Sequence, residues 1–456
     1  MTTTTRVAEP AAAVPVGAGR APAPRRRVSA VLVALWVGSA AVVAFWWAGV
    51  TVTGVPGATI MSLGELAGLL ASFLVCAQVL LVARVPWFEA SVGFDRLVAW
   101  HRSLGTTVVL LVVTHVLLMI VGGSVLDQVT VWAEVPGILR TQPYLWLAVL
   151  GTALFLLVGL SSARLARARL SYEWWFAIHL TIYVGIFLAF FHQVAGGTHF
   201  VSSASARIAW ITLYSATAGA VVVWRVLLPL LDHGRYRLTV TALVPEADGL
   251  TSVWLRGNGL SRMAARGGQY FLVRFMTRGH LGTAHPYSLS MVPTDEAMRF
   301  TVGALGDHSS AVPAIRPGTR VQVEGPFGRF TAERATTHRV LLVAGGAGIG
   351  PVRSLAQDLL ARGHDLVVVH RAHDERSLAL AGEFTVSPSL RYVPVPGRRA
   401  RLGYDPLAPE HLVELVPDIA ERDVFVCGPD PMIAAVVRAA RTLGVPAAAI
   451  HREEVA

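Results

Sequence analysis

The sequence predicts a multidomain protein in which an α-helical transmembrane bundle of about six helices precedes an antiparallel β-barrel domain and an α/β domain. The hydrophobic share of 54%, with only 15% charged residues, is too high for an ordinary soluble protein. Long apolar runs fill the chain up to about Leu231. Beyond that point, short Val- and Leu-rich runs alternate with Gly, Pro and charged loops, which indicates a soluble half.

The first 27 residues are rich in Thr, Ala, Pro and Arg, so we expect residues 1–27 to form a disordered tail. The uncharged run 28–50 is too long for a signal-peptide core and predicts a retained membrane helix. The whole transmembrane domain is predicted over 28–232. Its further spans, each near the ~20 residues that cross a bilayer, are predicted at 63–83, 97–120, 144–160, 174–191 and 208–231.

The arginines predict how these spans are oriented. Loops that contain Arg84 and Arg96, and then Arg164 and Arg167, alternate with Arg-poor loops such as 121–142. Because cytoplasmic loops carry the excess of basic residues, we expect both ends of the bundle and the soluble half to lie in the cytosol, at the plasma (cell) membrane.

The formal charge of +10 does not indicate a nucleic-acid partner, because the arginines lie largely in loops beside apolar runs and scattered through the soluble half. Every cation is Arg, since the sequence has no Lys. Cys76 and Cys427 fall in different halves, which excludes a disulfide framework and a Cys-ligated iron–sulfur cluster.

The soluble half is predicted to contain two domains. The runs 237–244, 270–275 and 320–324 predict short strands of a small antiparallel barrel over 233–334. From Arg339, a strand, a Gly-rich turn, a helix and a further strand at 366–369 predict an α/β nucleotide-binding domain over 335–456.

The third and fifth predicted spans carry two histidines each, and ionisable groups in membrane helices are costly enough to indicate a function. The pairs are His101 with His115 and His179 with His192. The two histidines of one span are about four helical turns apart, or roughly 20 Å, so one lies near each membrane face. If both helices run outward side by side, His101 meets His179 near the cytosolic face and His115 meets His192 near the outer face.

Each facing pair can hold one haem iron from both sides, which predicts two haem b groups. Bis-imidazole ligation leaves no open position on the iron and so favours electron transfer over oxygen activation at the metal. The spacing of His179 and His192 does not return to one face of a straight helix, which predicts a distortion near Gly185 or at the end of the span. His199 and His233 lie at span ends and are expected to be packed, hydrogen-bonded residues.

Three short motifs in the first soluble domain favour a flavin site. The run from His285 to Ser288 offers an aromatic ring for stacking on an isoalloxazine, and imidazole and hydroxyl groups for flavin and phosphate oxygens. The run from Gly306 to Ser309 predicts a helix start whose free N–H groups can take a pyrophosphate. The run 324–328 predicts a tight turn.

The last domain carries motifs for a nicotinamide dinucleotide. The run from Gly345 to Pro351 follows a buried strand and lets the backbone approach a pyrophosphate at a helix N-terminus. Cys427 and Gly428 end a later strand, where a small soft residue allows close approach of the nicotinamide ring. Arg371 or Arg376 can pair with a 2′-phosphate, which favours NADPH over NADH.

Together these residues resemble the ferric reductase and NADPH oxidase superfamily, over about 28–454. The resemblance implies a six-helix haem domain fused to a ferredoxin-reductase-like FAD and NAD(P)H module. It implies that the four membrane histidines ligate haem iron, with Tyr287, Ser288 and Cys427 as candidates for catalytic contacts. Family members commonly end with an aromatic residue that shields the flavin, and 451–456 contains none. The expected cofactor-binding residues are His285, Pro286, Tyr287, Ser288, Gly306, Ser309, Gly345, Gly346, Gly348, Gly350, Pro351, Arg371, Cys427, Gly428 and Pro429.

The predicted function is a transmembrane flavohaem oxidoreductase of the ferric reductase or NADPH oxidase type. NAD(P)H delivers two electrons as hydride and haem accepts one at a time, and a flavin exchanges electrons with both. The external acceptor would be oxygen or a ferric complex. Two alternatives stay open: an NAD(P)H-driven haem relay that feeds a separate protein partner, and a non-enzymatic membrane haem protein or scaffold.

Overall fold

The computed structural model describes residues 24–50, 54–247, 249–282, 284–384 and 388–454. Most of the predicted tail 1–27 therefore lies outside the described residues, and the first helix begins at Pro24. Within the described ranges, six helical segments are long and apolar enough to cross a membrane, which confirms the six predicted spans. These segments are Ala30–Gly49, Pro56–Val82, Arg96–Leu126, Leu145–Ser162, Tyr172–Gly196 and Ala204–Tyr236.

The N-terminal half is entirely helical within the described residues. A π-helical stretch, Val222–Leu227, joins its last two helices, so the final span continues to Tyr236, past the predicted domain boundary at 232. The helices are α1 Pro24–Gly49, α2 Pro56–Val82, α3 Pro86–Val92, α4 Phe94–Leu126, α5 Val131–Thr141, α6 Leu145–Ser162, α7 Arg164–Arg167, α8 Tyr172–Leu180, α9 Ile182–Gly196, α10 Thr198–Ser202, α11 Ala204–Val221 and α12 Leu228–Tyr236.

Two local features of the bundle differ from the prediction. The segment 121–142, predicted as a loop, holds the end of α4 and the separate helix α5, which Thr130 caps by accepting a hydrogen bond from the Ala133 amide. The fifth span is interrupted at Thr181, four residues before Gly185. There the Thr181 hydroxyl donates to the Ile178 carbonyl at 2.7 Å, and such local bonds compete with the regular helix ladder.

The first soluble domain contains two three-stranded antiparallel sheets, so the predicted closed barrel is not confirmed. The sheets have the orders β1–β2–β5 and β4–β3–β6, and isolated bridges at Thr239–Arg320 and Leu289–Phe300 connect their edges. The motif 324–328 lies mostly within a strand rather than in a turn. The strands are β1 Thr239–Ala247, β2 Leu250–Arg256, β3 Tyr270–Phe275, β4 His285–Ser288, β5 Ala297–Gly303 and β6 Val321–Phe327. The short helix α13 Asp307–Ser310 lies between β5 and β6 in the chain.

The last domain is a parallel five-stranded sheet in the order β11–β10–β7–β8–β9, with helices packed on it. The strand order reverses between β7 and β10, and in such sheets ligands bind at this switch point, beyond the carboxyl ends of the strands. The elements are β7 Arg339–Gly345, α14 Ile349–Ala361, β8 Asp365–Ala372, β9 Leu390–Pro396, α15 Arg399–Leu402, α16 Pro409–Leu415, β10 Asp423–Gly428, α17 Asp430–Thr442 and β11 Ile450–Glu454.

The sheet domain that follows the bundle contacts one end of it. Arg84, just beyond α2, forms an ion pair with Glu324 of β6. The rings of Phe94, the first residue of α4, and Phe327 stack with centroids 5.5 Å apart. We call this the module-facing end of the bundle, and it is the end at which α2 finishes and α4 begins.

Candidate functional site

The structure brings the membrane histidines together in the two pairs that the sequence predicts. The ring centroids of His101 and His179 lie 6.0 Å apart at the module-facing end, and those of His115 and His192 lie 6.4 Å apart further along the same two membrane spans. The two ring planes meet at 61° in the first pair and at 39° in the second. We call these the inner pair and the outer pair.

Three of the four imidazoles are oriented by a backbone carbonyl that meets Nδ1. His101 Nδ1 lies 3.0 Å from the Gln78 carbonyl, His115 Nδ1 lies 2.8 Å from the Gly64 carbonyl, and His192 Nδ1 lies 2.6 Å from the carbonyl of Ala189 on its own helix. A carbonyl only accepts, so each Nδ1 carries the hydrogen. Each Nε2 then keeps its lone pair free.

Helix α2 supports both histidines of α4. The two α2 carbonyls that accept from these imidazoles are those of Gly64 and Gln78, and they are spaced along α2 as His115 and His101 are along α4. A Cβ added at Gly68 would lie 2.7 Å from His115 Nδ1, so the glycine gives the imidazole its place against α2. Gly64 and Gly68 of α2 therefore position His115 of the outer pair.

His179 differs from the other three, because its Nδ1 lies near a side-chain hydroxyl, Ser162 Oγ, at 3.5 Å. The same oxygen accepts a hydrogen bond of 3.2 Å from the indole N–H of Trp175. Trp175 also packs on His179, with ring centroids 5.0 Å apart. The guanidinium of Arg167 lies 4.9 Å from the Trp175 ring centroid, within the range of a cation–π contact.

A cavity of about 1310 Å³ lies between the bundle and the two soluble domains. Its walls combine the predicted flavin motifs with residues from the module-facing end of the bundle and from the glycine-rich run. The residues that line the cavity include Arg84, Tyr172, Trp175, Phe176, Arg225, Tyr270, His285, Pro286, Tyr287, Ser288, Gly306, Asp307, His308, Ser309, Glu324, Ala347 and Glu453.

The motif from His285 to Ser288 forms β4, which pairs with β3 and borders the cavity. Tyr287 is largely buried, and this burial raises the pKa of its phenol to about 12, so the hydroxyl stays a donor at neutral pH. Burial, and then the neighbouring His308, lower the pKa of His285. Its buried Nε2 has no hydrogen-bond partner in the described part of the chain.

The predicted pyrophosphate turn also borders the cavity, but its serine is already engaged. The Ser309 hydroxyl accepts hydrogen bonds from the amides of Leu305 and Gly306, at 3.0 and 2.9 Å. The adjacent His308 lies 3.2 Å, from Nε2 to carboxylate oxygen, from Glu173 of α8. The turn is therefore attached to the bundle as well as to its own domain.

The glycine-rich run lies at the switch point of the parallel sheet, after β7 and beside the end of β10. A Cβ on Gly348 would lie 2.2 Å from the Cys427 carbonyl, and one on Gly345 would lie 2.5 Å from the sulfur of Met432. At Gly348 the neighbour is backbone, so only glycine permits the approach, whereas at Gly345 the neighbour is the end of a flexible side chain. Gly346 lies in the turn after β7, and Gly428 ends β10. Gly350 and Pro351 lie in the first turn of α14, and Pro429 is the N-cap of α17.

Cys427 itself is fully buried in the core cluster with Ala344 and Ile349, and it is not among the residues that line the cavity. Burial, and then the charge of Glu453, raise the pKa of its thiol far above the ordinary value. Cys427 therefore presents its backbone to the switch point, and its thiol stays protonated in the core. The predicted nicotinamide contact through the Cys427 side chain is not supported by this placement.

Arg371 lies beside the glycine-rich run, since it pairs with Gly345 in the β7–β8 register. Its Nη1 donates to the carbonyls of Ala372 and Val395, at 2.7 and 2.8 Å, which fixes the guanidinium at the β8–β9 edge. Arg376 lies further on, in a separate 3₁₀ turn. Of the two arginines proposed for a 2′-phosphate, Arg371 is thus the one adjacent to the glycine-rich run.

Sequence reasoning did not single out Trp175, Phe176, Arg225 or the Arg84–Glu324 ion pair. For Trp175 a signal was available, because it precedes His179 by four residues and so lies on the same helix face. The ion pair joins residues far apart in the chain, and nothing in the local sequence predicts it.

Two family models match the two halves. Residues 67–190 match the family described as "Ferric reductase like transmembrane component", a range that includes His101, His115 and His179 and ends just before His192. Residues 342–438 match "Oxidoreductase NAD-binding domain". The two matches fit the predicted architecture, in which a ferric reductase-like transmembrane segment precedes an NAD-binding oxidoreductase domain. The resemblance predicted from the sequence is therefore confirmed over these two ranges, and the six apolar helices support a multi-pass membrane protein.

Curated relatives match just under half of the chain. The ferredoxin reductase component of 3-ketosteroid-9-alpha-monooxygenase from Rhodococcus rhodochrous is 31% identical over 226 residues, or 47% of this chain and 64% of that protein. A flavohemoprotein from Halalkalibacterium halodurans is 25% identical over 232 residues, or 46% of this chain and 56% of the relative. The chain thus spans less than two thirds of either relative. Among solved structures, Amycolatopsis cytochrome P450 reductase GcoB aligns with a TM-score of 0.40 and 24% identity, over 48% of this chain and 69% of that chain.

Proposed function

We propose that this ferric reductase-like fusion takes hydride from cytosolic NAD(P)H, with NADPH favoured, and passes single electrons through FAD and two haem b groups to an acceptor across the membrane. The acceptor would be oxygen or a ferric complex. The observation that carries the proposal is the set of four membrane imidazoles, arranged as two facing pairs with the Nε2 atoms of His101, His115 and His192 left free by their Nδ1 contacts.

The spacing within the pairs fits an iron bound between two imidazoles. With metal–nitrogen distances of about 2 Å on each side, and each nitrogen about 1 Å from its ring centre, the centroids of two ligating rings are separated by about 6 Å. The observed separations are 6.0 and 6.4 Å. Hydrogen bonds from Nδ1 to carbonyls also orient ligating histidines and raise their basicity.

The cavity beside the module-facing end fits a flavin. It has aromatic and hydroxyl groups from Tyr287 and Ser288, and the buried, unpartnered Nε2 of His285 can bond to a flavin or phosphate oxygen. Bound FAD would supply the conversion from hydride to single electrons, and bound haem would carry those electrons through the bundle. Flavohemoprotein relatives and the ferric reductase-like match support both groups.

The loops at the switch point support a binding site for NAD(P)H. Gly345, Gly348 and Gly428 let the turn after β7 pack closely on the end of β10, which brings the start of α14, where free amides bind phosphate, to the switch point. Ala347 in the same run lines the flavin cavity, so a nicotinamide held there would meet the flavin edge. Arg371 beside Gly345 favours a 2′-phosphate.

The test is to purify the full chain in detergent with haem and FAD, record the reduced-minus-oxidised spectrum, and follow consumption of NADPH and NADH with oxygen or chelated ferric iron. We expect spectra of six-coordinate low-spin haem and faster turnover with NADPH. Dye reduction that superoxide dismutase suppresses would identify oxygen as the acceptor. Protein that binds no haem, or that oxidises neither nucleotide with any acceptor, would contradict the proposal.

A further inference from the structure

The inner pair lies close to the flavin cavity, and one aromatic residue contacts both. Trp175 of α8 lines the cavity together with His285 and Tyr287. Its ring lies 5.0 Å from that of His179, centroid to centroid, and the rings are inclined by 34°. The ring therefore occupies the space between the cavity and the inner pair. The rate of electron tunnelling falls steeply with the length of each gap through space. A ring at this position shortens the gap between the cavity and the inner pair.

The polar edge of Trp175 also acts on His179. The indole N–H donates to Ser162 Oγ at 3.2 Å, and the same oxygen lies 3.5 Å from His179 Nδ1. A hydroxyl oxygen has two lone pairs, so Ser162 can accept from both the indole and the imidazole. The orientation of the His179 ring thus depends on where Trp175 holds the serine.

Among the four membrane histidines, this arrangement is found at His179. His101, His115 and His192 are oriented by backbone carbonyls, which no side-chain substitution removes, whereas His179 is oriented by Ser162 and packed by Trp175. Arg167 lies over the Trp175 ring, 4.9 Å from its centroid, and limits its movement. The order of contacts from the cavity is therefore Trp175, Ser162 and His179.

We propose that Trp175 is the positioning residue that couples the flavin cavity to the inner pair, by bridging the gap with its ring and by setting the orientation of His179 through Ser162. The inference rests on the proposed function and deepens it, because it names the residue through which electrons reach the first haem site. Trp175 is a positioning residue, since it acts through His179.

The test compares the full-length proteins Trp175→Leu, Trp175→Phe and Ser162→Ala with wild type. The matched control is Trp174→Leu, because Trp174 is the adjacent residue of α8, is 70% exposed and does not line the cavity. Electron paramagnetic resonance of the oxidised proteins reports the imidazole orientation at each low-spin iron. Stopped-flow mixing with NADPH separates reduction of the flavin from reduction of haem.

We expect Trp175→Leu to reduce its flavin at the wild-type rate and its haem at least about tenfold more slowly, the effect typical of a lost residue behind a metal ligand. One of the two low-spin signals should shift, and the other should not. Trp175→Phe keeps a ring but loses the N–H, so it should shift the same signal while slowing haem reduction less. Ser162→Ala should shift that signal alone, and Trp174→Leu should match wild type.

Haem reduction at the wild-type rate in Trp175→Leu, or equal slowing in Trp174→Leu, would overturn the inference. If Trp175→Leu does not accumulate, unshifted signals in both Trp175→Phe and Ser162→Ala overturn it. Wild-type protein without haem would overturn the proposed function, and the inference with it, before any variant is compared. A wild-type protein with two low-spin haems and unaffected variants would leave the proposed function intact and reject only the role of Trp175.

Discussion

Arg84 and Glu324 form an ion pair that joins the end of α2 to strand β6, with only 13% and 11% of their side chains exposed. The pair lies at the wall of the flavin cavity, beside the stacked rings of Phe94 and Phe327. Breaking a buried ion pair by removing one partner leaves an uncompensated charge, at a cost of about 3–5 kcal/mol. This contact therefore fixes how the soluble module meets the bundle.

We expect Glu324→Gln to slow haem reduction by NADPH more than it slows direct reduction of ferricyanide by the module. The physical reason is a weaker contact between module and bundle. The control is Glu296→Gln, which breaks the Arg256–Glu296 pair of the same domain, whose side chains are 69% and 66% exposed. Exposed pairs contribute about 0–1 kcal/mol, so this variant should behave as wild type. Equal rates of haem reduction in both variants would show that the buried pair does not hold the module in place.

The glycine-rich run gives a second prediction, on nucleotide binding. Gly348→Ala places a Cβ 2.2 Å from the Cys427 carbonyl, so the loops after β7 and β10 must separate. We expect the KM for NADPH to rise at least about tenfold, because the loop that positions the nucleotide is displaced. A misplacement of about 1 Å can lower an enzyme's rate on the order of 10²-fold. Gly382→Ala is the control, because nothing lies within 4 Å of its added Cβ. An unchanged KM in Gly348→Ala would remove this run from the nucleotide site.

Arg371 gives a third prediction, on the choice of nucleotide. Because it neighbours Gly345 across the sheet, Arg371→Leu should raise the KM for NADPH about tenfold and leave that for NADH within about twofold, as expected for loss of one charge-assisted contact. Arg376→Leu should change neither constant to that extent. Parallel increases for NADPH and NADH would indicate that Arg371 only supports the β8–β9 edge through the Ala372 and Val395 carbonyls.

His370 gives a prediction about pH. It is 1% exposed on β8, its Nδ1 lies 2.8 Å from the Tyr392 hydroxyl, and burial lowers its pKa from 6.5 to about 4. The unfolded chain therefore binds a proton at higher pH than the folded chain. The contribution of neutral His370 to stability is full above pH 6.5 and is lost as pH falls towards 4, by roughly 3 kcal/mol in all.

The measurement is thermal unfolding of the full chain across this pH range for wild type and His370→Gln, which can still bond to Tyr392 but cannot titrate. The Tm of wild type should fall more steeply with acid than that of the variant. Parallel curves would show that His370 is not held neutral in the folded protein.

Hydropathy alone located the six spans, because a membrane helix needs a long apolar run whatever its neighbours are. Alternation and turn residues located strands such as Tyr270–Phe275, which the structure reproduces. The spacing of the histidines predicted which rings would face each other. The break at Thr181 was placed too late in the chain, because a hydroxyl bonding to its own helix carries little signal in the hydrophobic pattern.

Other features depend on tertiary contacts that no local pattern encodes. The helix α5 within 121–142 was missed because that segment is short and interrupted by Pro136. The burial of Cys427 follows from the central place of β10 in the sheet, which the strand sequence alone does not give. The same holds for the division of the first soluble domain into two three-stranded sheets with bridged edges, since that division depends on how the strand edges meet.

The most direct test of the account is the haem content of the purified full chain and of His115→Ala and His192→Ala, with His233→Ala as a control outside both pairs. The account predicts two haems per chain in wild type and in His233→Ala, and one in each outer-pair variant, with the inner low-spin signal retained. Full haem content after replacement of either His115 or His192 would contradict it.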